Sequence, residues 1–193
     1  MSLKHILLGM LHEPASGYDL KNEFSGSLSH FWAAKLSQIY PLLSSMEQEG
    51  LLKAETAASD KGPPRRVYSR TARGTNELVG WLAEGPHVTE ERRHYLAQVY
   101  FLSAYGDPDQ ALRFMRSLRE LMQKKLKTLE AAESHWREQD PGYPDDLPDE
   151  WFYPQMTLEL GLKVFSANIE WCDRCIARIE KRISSRSATA RPR

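Results

Sequence analysis

The chain has 193 residues, of which 41% are hydrophobic and 27% charged, with 26 Lys and Arg set against 26 Asp and Glu. That is room for one large domain or two small ones of ordinary soluble composition, and no apolar run approaches the ~20 residues of a membrane span. Zero net charge excludes a generally basic protein but leaves room for a local basic patch, and two cysteines are too few for a disulfide scaffold, so a reducing cytoplasm is the expected compartment.

Leu3, Ile6, Leu7 and Met10 follow the i, i+3, i+4, i+7 spacing of an amphipathic helix, which also argues against a signal peptide at the start. Pro14 and Gly17 mark a turn. Leu20, Phe24 and Leu28 form a second helical stripe, predicted to continue towards Phe31 and Trp32. Ile39, Leu42, Leu43 and Met46 define a third helix. Ser37 is its expected N-cap, Pro41 sits about four residues in, where losing an N–H is still tolerable, and Gly50 is the expected residue after the last turn. The period then changes. "LLKAETA" and "RRVYSR" alternate as short strands around "ASDKGPPRR", a hairpin tip. Thr71 is placed to cap a fourth helix carrying Leu78, Trp81 and Leu82, which Gly85-Pro86 ends.

Beyond that break the chain reads as helix throughout. Thr89 to about Tyr105 is expected as one helix. Asp107-Pro108 starts another that runs to about Gln139, with Met115, Leu118, Met122, Lys125, Leu129, Ala132 and Trp136 at alternating three- and four-residue spacing. "DPGYPDDLPDEWFYP" is an irregular connector, and a last long helix is expected from Gln155. In it Leu158, Leu162, Phe165, Ile169, Cys172, Ile176, Ile179 and Ile183 repeat at four and three residues, a heptad seam that requires a facing helix. The 107–139 helix can supply one and a second subunit more. The expected organisation is a domain over 1–85, a helical domain over 86–185, and a polar, basic, disordered tail over 186–193.

Trp171-Cys172-x-x-Cys175 has the shape of a redox centre, but such a site needs a helix N-terminus to lower the thiol pKa. Cys172 lies deep inside a helical pattern at a seam position, where cysteine acts as a small hydrophobe. A redox-responsive pair at Cys172/Cys175 remains the lesser reading. No histidine pairs with either cysteine at zinc-ligand spacing, and neither a Walker loop nor a dinucleotide glycine pattern is present. No cofactor or metal is implied.

The charge distribution points elsewhere. Lys61, Arg65, Arg66, Arg70 and Arg73 form a cationic run without an acid, at and after the hairpin tip. Residues 138–150 hold six acids and no cation, which reads as a solvated loop. Three helices, a basic hairpin and a dimer-forming seam together describe a mainly α protein with an N-terminal winged helix-turn-helix domain and an α-helical, coiled-coil-like dimerisation domain. In that arrangement the third helix enters the major groove and wing cations neutralise phosphates. Lys35, Ser37, Gln38, Tyr40 and Ser44 are the candidate groove contacts, with Lys61, Arg65 and Arg66 as wing contacts. The rival readings are a small-molecule sensor or enzyme, with Trp136, Trp151, Phe152, Tyr153, Phe165 and Trp171 lining a pocket near the acidic connector, and a helical module that binds protein.

"HILLGML", "SGYDLKNEF", "LSQIYPLLSSMEQEGLL" and "RRVYSRTARG" occur in order over roughly residues 3–82 and resemble the winged-helix domain of PadR-type transcriptional regulators. The later helices, ending in "GLKVFSANIEW", are similar to the C-terminal domain of the virulence-activator (AphA-like) subgroup. The resemblance implies a cytoplasmic, bacterial-type homodimer without enzyme activity, bound to double-stranded DNA at a roughly palindromic operator. Members are often repressors relieved by small aromatic or hydrophobic effectors, and the subgroup includes activators. The third helix departs from this picture in being poor in cations, with Glu47 and Glu49 at its end.

Overall fold

The computed structural model describes all residues except 1, 26, 27, 29, 33, 58–63, 89–92 and 190–193. It divides into two compact units, Met1–Thr89 and Glu90–Arg193.

The first unit holds α1 (Ser2–Met10), β1 (Ala15–Ser16), α2 (Gly17–Ser25), α3 (Leu36–Gln48), β2 (Leu52–Ala57), β3 (Arg65–Arg70) and α4 (Ala72–Ala83). Leu7, Leu8 and Leu11 from the α1 region, Leu20 and Phe24 from α2, and Ile39, Leu43 and Met46 from α3 enclose one core, closed by Leu51, Leu52 and Tyr68. The predicted stripes of α2 and α3 lie towards this core, because a 3.6-residue period brings those positions to one side of a helix. On α1 only Leu7 of the predicted stripe is fully buried, Leu8 and Leu11 taking the other core positions while Leu3, Ile6 and Met10 are half-buried, and on α4 Leu82 is exposed, against expectation. The antiparallel sheet has the order β1-β3-β2, with Ala54 opposite Tyr68 in the β2–β3 pair. β1 is only two residues long, too short for the sequence pattern to reveal.

Four local signals shape this unit. Ser16 and Asp19 form a reciprocal capping box on α2: the Asp19 carboxylate accepts from the Ser16 N–H at 3.0 Å and from its hydroxyl at 2.6 Å, and the Asp19 N–H donates to Ser16 Oγ at 3.3 Å. α3 ends in a Schellman motif, in which Gly50 at φ 72° donates to the Glu47 carbonyl and Leu51 to the Met46 carbonyl. Thr71 Oγ1 accepts from the Gly74 N–H at 3.1 Å and so caps α4, as the sequence predicts. Arg70 Nη1 donates to the Leu8 carbonyl at 2.8 Å, satisfying one of the orphan carbonyls at the end of α1.

The Ser16 hydrogen bonds hold the Asp19 carboxyl below the ordinary carboxylate range. A lowered folded-state pKa contributes stability that is fully present above the unfolded value of about 3.9 and is lost as pH falls through the folded one. Asp19→Asn should therefore lower the thermal midpoint at pH 7, and the gap to wild type should narrow in melts taken at successively lower pH beneath the unfolded value of about 3.9.

Several expectations need correction. α2 stops at Ser25, short of Phe31 and Trp32, because "SGS" at 25–27 is a run of poor helix formers. Ser37 does not cap α3. The helix begins at Leu36 with Lys35 at the N-cap, and the Gln38 carboxamide oxygen accepts the Lys35 N–H at 3.0 Å. Pro41 consequently lies beyond the first turn, and the carbonyl it leaves without a helical donor is that of Ser37, on the exposed face.

The second unit holds α5 (His94–Tyr100), a 3₁₀ turn (Leu102–Tyr105), α6 (Pro108–Gln139) and α7 (Asp149–Thr189). The helix expected up to Tyr105 is broken at Phe101, where the chain tightens into i→i+3 bonding and Gly106 at φ 65° closes it. Asp107 Oδ1 then accepts from the Asp109 N–H at 2.9 Å, and Pro108 takes the first helical position of α6. α7 starts at Asp149, six residues before Gln155. Pro154 is accommodated inside it because its missing bond falls on the exposed Glu150 carbonyl. α7 continues to Thr189, past the point where the polar stretch begins.

α6 and α7 pack as a helical hairpin. Met115, Leu118 and Met122 of α6 bury Cys172 of α7, with Phe165, Ile169, Ile176 and Ile179 packed around them. Leu158 is buried, while Leu162 and Ile183 are half-buried. Of the predicted seam on α6, Met115, Leu118, Met122 and Leu129 are buried and Trp136 is half-buried, whereas Lys125 and Ala132 are exposed. The exposed pairs Arg116–Glu180 at 2.7 Å and Arg119–Asp173 at 2.5 Å flank the seam, where solvent screening leaves them little weight in stability.

Candidate nucleic-acid interface

α3 turns Ile39, Leu43 and Met46 into the core, with Leu42 half-buried beside them. Its other face is exposed and carries Ser37, Gln38, Tyr40 and Ser44, with Lys35 exposed at the N-terminus. All five groove candidates therefore share one polar surface that begins at a helix N-terminus, where backbone N–H groups and the helix dipole favour an anion. Two of them are partly engaged. Gln38 closes the N-cap, and the Tyr40 ring rests on Gly17, where an added Cβ would stand 2.5 Å from Tyr40 Cε1. Gly17 is thus a close-approach glycine that lets the α3 surface sit against the start of α2.

The basic run resolves into separate jobs. Lys61 lies outside the described residues. Arg65 is exposed at the start of β3 and makes no ion pair among the described residues, although its charge helps lower the Asp19 pKa. Arg66 reaches back to α3: its Nη2 donates to both Glu47 oxygens, at 2.7 and 2.5 Å. Its guanidinium also lies 5.8 Å from the Tyr68 ring centre. The hydrogen bond to Glu47 raises the Arg66 pKa. Arg70 is occupied by the Leu8 carbonyl, and Arg73 is exposed on α4. The period of two along β3 explains the division. Tyr68 points into the core, so Arg66 and Arg70 share its face, while Arg65 points the other way. Glu47, visible in the sequence only as an acid near the end of α3, is the partner that holds Arg66.

Comparison with known proteins completes this picture. A family model described as the transcriptional regulator PadR-like family matches residues 6–79, and one described as virulence activator alpha C-term matches residues 91–180. The chain carries a PadR-like domain followed by a virulence-activator-type C-terminal domain. It is 28% identical to the negative transcriptional regulator PadR of Bacillus subtilis, over 93% of this chain and 98% of that one. The structure of that PadR in complex with operator DNA superposes with a TM-score of 0.81 at 26% identity, covering 92% of this chain and 97% of the other. The virulence activator AphA of Vibrio cholerae superposes with a TM-score of 0.70 at 26% identity, covering 93% and 99%. A further structure holds the Bacillus PadR in complex with p-coumaric acid, at a TM-score of 0.72 and 26% identity over 92% and 95%.

Cys172 is fully buried in the hairpin, and burial is the main cause that pushes its thiol pKa up, the opposite of what a reactive thiolate needs. Cys175 is half-buried and free. Iodoacetamide is expected to label Cys175 well before Cys172 in the folded protein. Among the described residues of this PadR-like chain, no group of three or more His, Cys, Asp or Glu side chains is placed to hold a metal ion, and no helix is long and apolar enough to cross a membrane.

Proposed function

We propose that this chain is a cytoplasmic, sequence-specific DNA-binding regulator that acts as a homodimer and represses its target genes. The exposed polar face of α3 carries the proposal, since it is bounded by the basic hairpin in a chain that superposes on a PadR bound to operator DNA. Lys35, Ser37, Gln38, Tyr40 and Ser44 would enter the major groove. Lys61 and Arg65 would contact backbone phosphates, with Arg66 joining them once released from Glu47. No catalytic role is assigned to any residue.

Dimerisation is assigned to the C-terminal helices. The α6–α7 pairing already occupies much of the α7 seam, so Leu158, Leu162, Phe165, Ile169, Cys172, Ile176, Ile179 and Ile183 would support the dimer by holding the hairpin as well as by direct contact. Exposed apolar side chains remain for a second copy: Leu96, Tyr100, Phe101 and Tyr105 on α5 and the following turn, and Tyr153, Met156 and Leu160 on α7. The Bacillus PadR structure with p-coumaric acid favours a small aromatic effector for this chain too. Fluorescence anisotropy with the duplex upstream of its own reading frame tests the DNA reading. Saturable binding that weakens steeply with salt supports it, and affinity indifferent to salt refutes it.

A further inference from the structure

At the end of the hairpin, where α6 gives way to the connector and α7 begins, His135, Trp136, Gln139, Asp140, Leu147 and Trp151 line a cleft of about 310 Å³. Trp136 and Trp151 meet edge to face, with ring centres 5.9 Å apart and planes at 73°. Tyr143 braces Trp136 from another side at 6.3 Å and 76°. Two indoles that served only to seal the hairpin would be expected to bury themselves, yet Trp151 is 49% exposed beside an open space.

The electrostatics are one-sided. Residues 138–150 carry six acids and no cation. The cation just before them, Arg137, is occupied: its guanidinium lies over the Tyr143 ring at 4.7 Å and pairs with Glu133 at 2.8 Å. Asp140 stands in the cleft wall. Its Oδ1 accepts the Gly142 N–H at 2.8 Å, and its Oδ2 has no hydrogen-bond partner among the described residues. The cleft thus combines two indole surfaces, a carboxylate oxygen available to a donor, and a surrounding negative field.

We propose that this cleft binds a small aromatic cation, a one- or two-ring amine or quaternary ammonium whose ring packs on Trp151 and Trp136 and whose charge faces Asp140. Its volume lies at the small end of ligand pockets, which limits the occupant to about that size. Indole faces attract a cation, and so does the field of the connector. An aromatic carboxylate of equal size meets the same walls with the wrong charge, so the site selects against the class to which p-coumaric acid belongs. The proposal goes beyond the DNA-binding reading and is tested on the protein alone, so its failure leaves that reading standing.

Tryptamine and indole-3-acetate share a ring system and carry opposite charges at neutral pH. Calorimetric titration of the full chain is expected to show one saturable tryptamine site per chain, at least about tenfold tighter than any binding of indole-3-acetate. Asp140→Asn keeps an oxygen acceptor for the Gly142 N–H and should weaken tryptamine about tenfold with the unfolding midpoint unchanged. Leu147→Lys, which puts a cation at the cleft wall, should abolish binding. Equal binding of both compounds overturns the proposal, as does wild-type affinity in Asp140→Asn. The absence of saturable tryptamine binding, including the case in which a second copy covers the cleft, overturns it as well.

Discussion

Glu47→Gln is expected to tighten DNA binding and to steepen its dependence on salt. In the free protein the Glu47 carboxylate holds Arg66 against α3 through two short hydrogen bonds. A paired guanidinium is a poor phosphate ligand, because the exchange of one anionic partner for another gains little. If Lys61 and Arg65 of each subunit contact phosphates, a dimer is expected to neutralise about four, with a slope of log K against log salt of about −4. Releasing Arg66 in both subunits raises the count to about six and the slope to about −5, with an affinity gain of about tenfold at low salt. The opposite change, Arg65→Ala with Arg66→Ala, should leave a slope of about −2 and cost at least about a hundredfold in affinity. Anisotropy titrations at four or five salt concentrations measure both variants. If Glu47→Gln leaves the slope unaltered, Arg66 does not reach the backbone and its role is confined to joining β3 to α3.

The second large effect belongs to the hairpin. Ile176→Glu with Ile179→Glu places two carboxylates against the cluster of Met115, Leu118, Met122 and Cys172. Burying an unpaired charge costs several kcal/mol, which is comparable with the whole stability of a unit of this size. The α6–α7 pair should open, and with it the dimer. Light scattering should give the mass of a single chain or a polydisperse sample. The core of the first unit is built from other residues, Leu7 to Tyr68, so part of the helical circular dichroism should survive with its own melting transition. DNA affinity should fall by orders of magnitude, because a palindromic site is then read by one half at a time. An unchanged mass with unchanged melting would remove the C-terminal helices from the dimerisation account.

What the sequence revealed followed from periodicity and punctuation. α3, α4 and α6 are legible through apolar residues at helical spacing ended by Gly or begun by a Thr or Asp cap, α1 through its spacing alone ahead of the Pro14 turn, and β2 and β3 through alternation around a Gly-Pro tip. The failures have physical causes. β1 is two residues long and exists only because β3 offers an edge to pair with. The start of α3 was misplaced because Lys35 cannot cap through its own side chain, and the acceptor is supplied by Gln38 three residues later. The break at Phe101 follows no Pro or Gly in "YFLSAY", so no local residue predicts it.

At the site, the polar face of α3 was legible because it is the complement of the apolar stripe. The division of labour between Arg65 and Arg66 was also within reach, since Tyr68 is a natural core residue and a period of two sets Arg66 on its side. The pairing of Arg66 with Glu47 was not. It joins residues 19 positions apart across the packing of β3 on α3, a contact that neither element encodes alone.

The central claim is that two copies of this chain read a twofold-symmetric DNA sequence through α3. Selection from a randomised duplex library, using the full-length protein at about 0.15 M salt, tests it most directly. The account predicts enrichment of an inverted repeat whose half-sites lie about one helical turn apart. It also predicts that Ser37→Ala or Ser44→Ala changes the preferred bases within the half-site without altering the spacing. Recovery of an unenriched pool, or of a single asymmetric site insensitive to substitutions on α3, would contradict it.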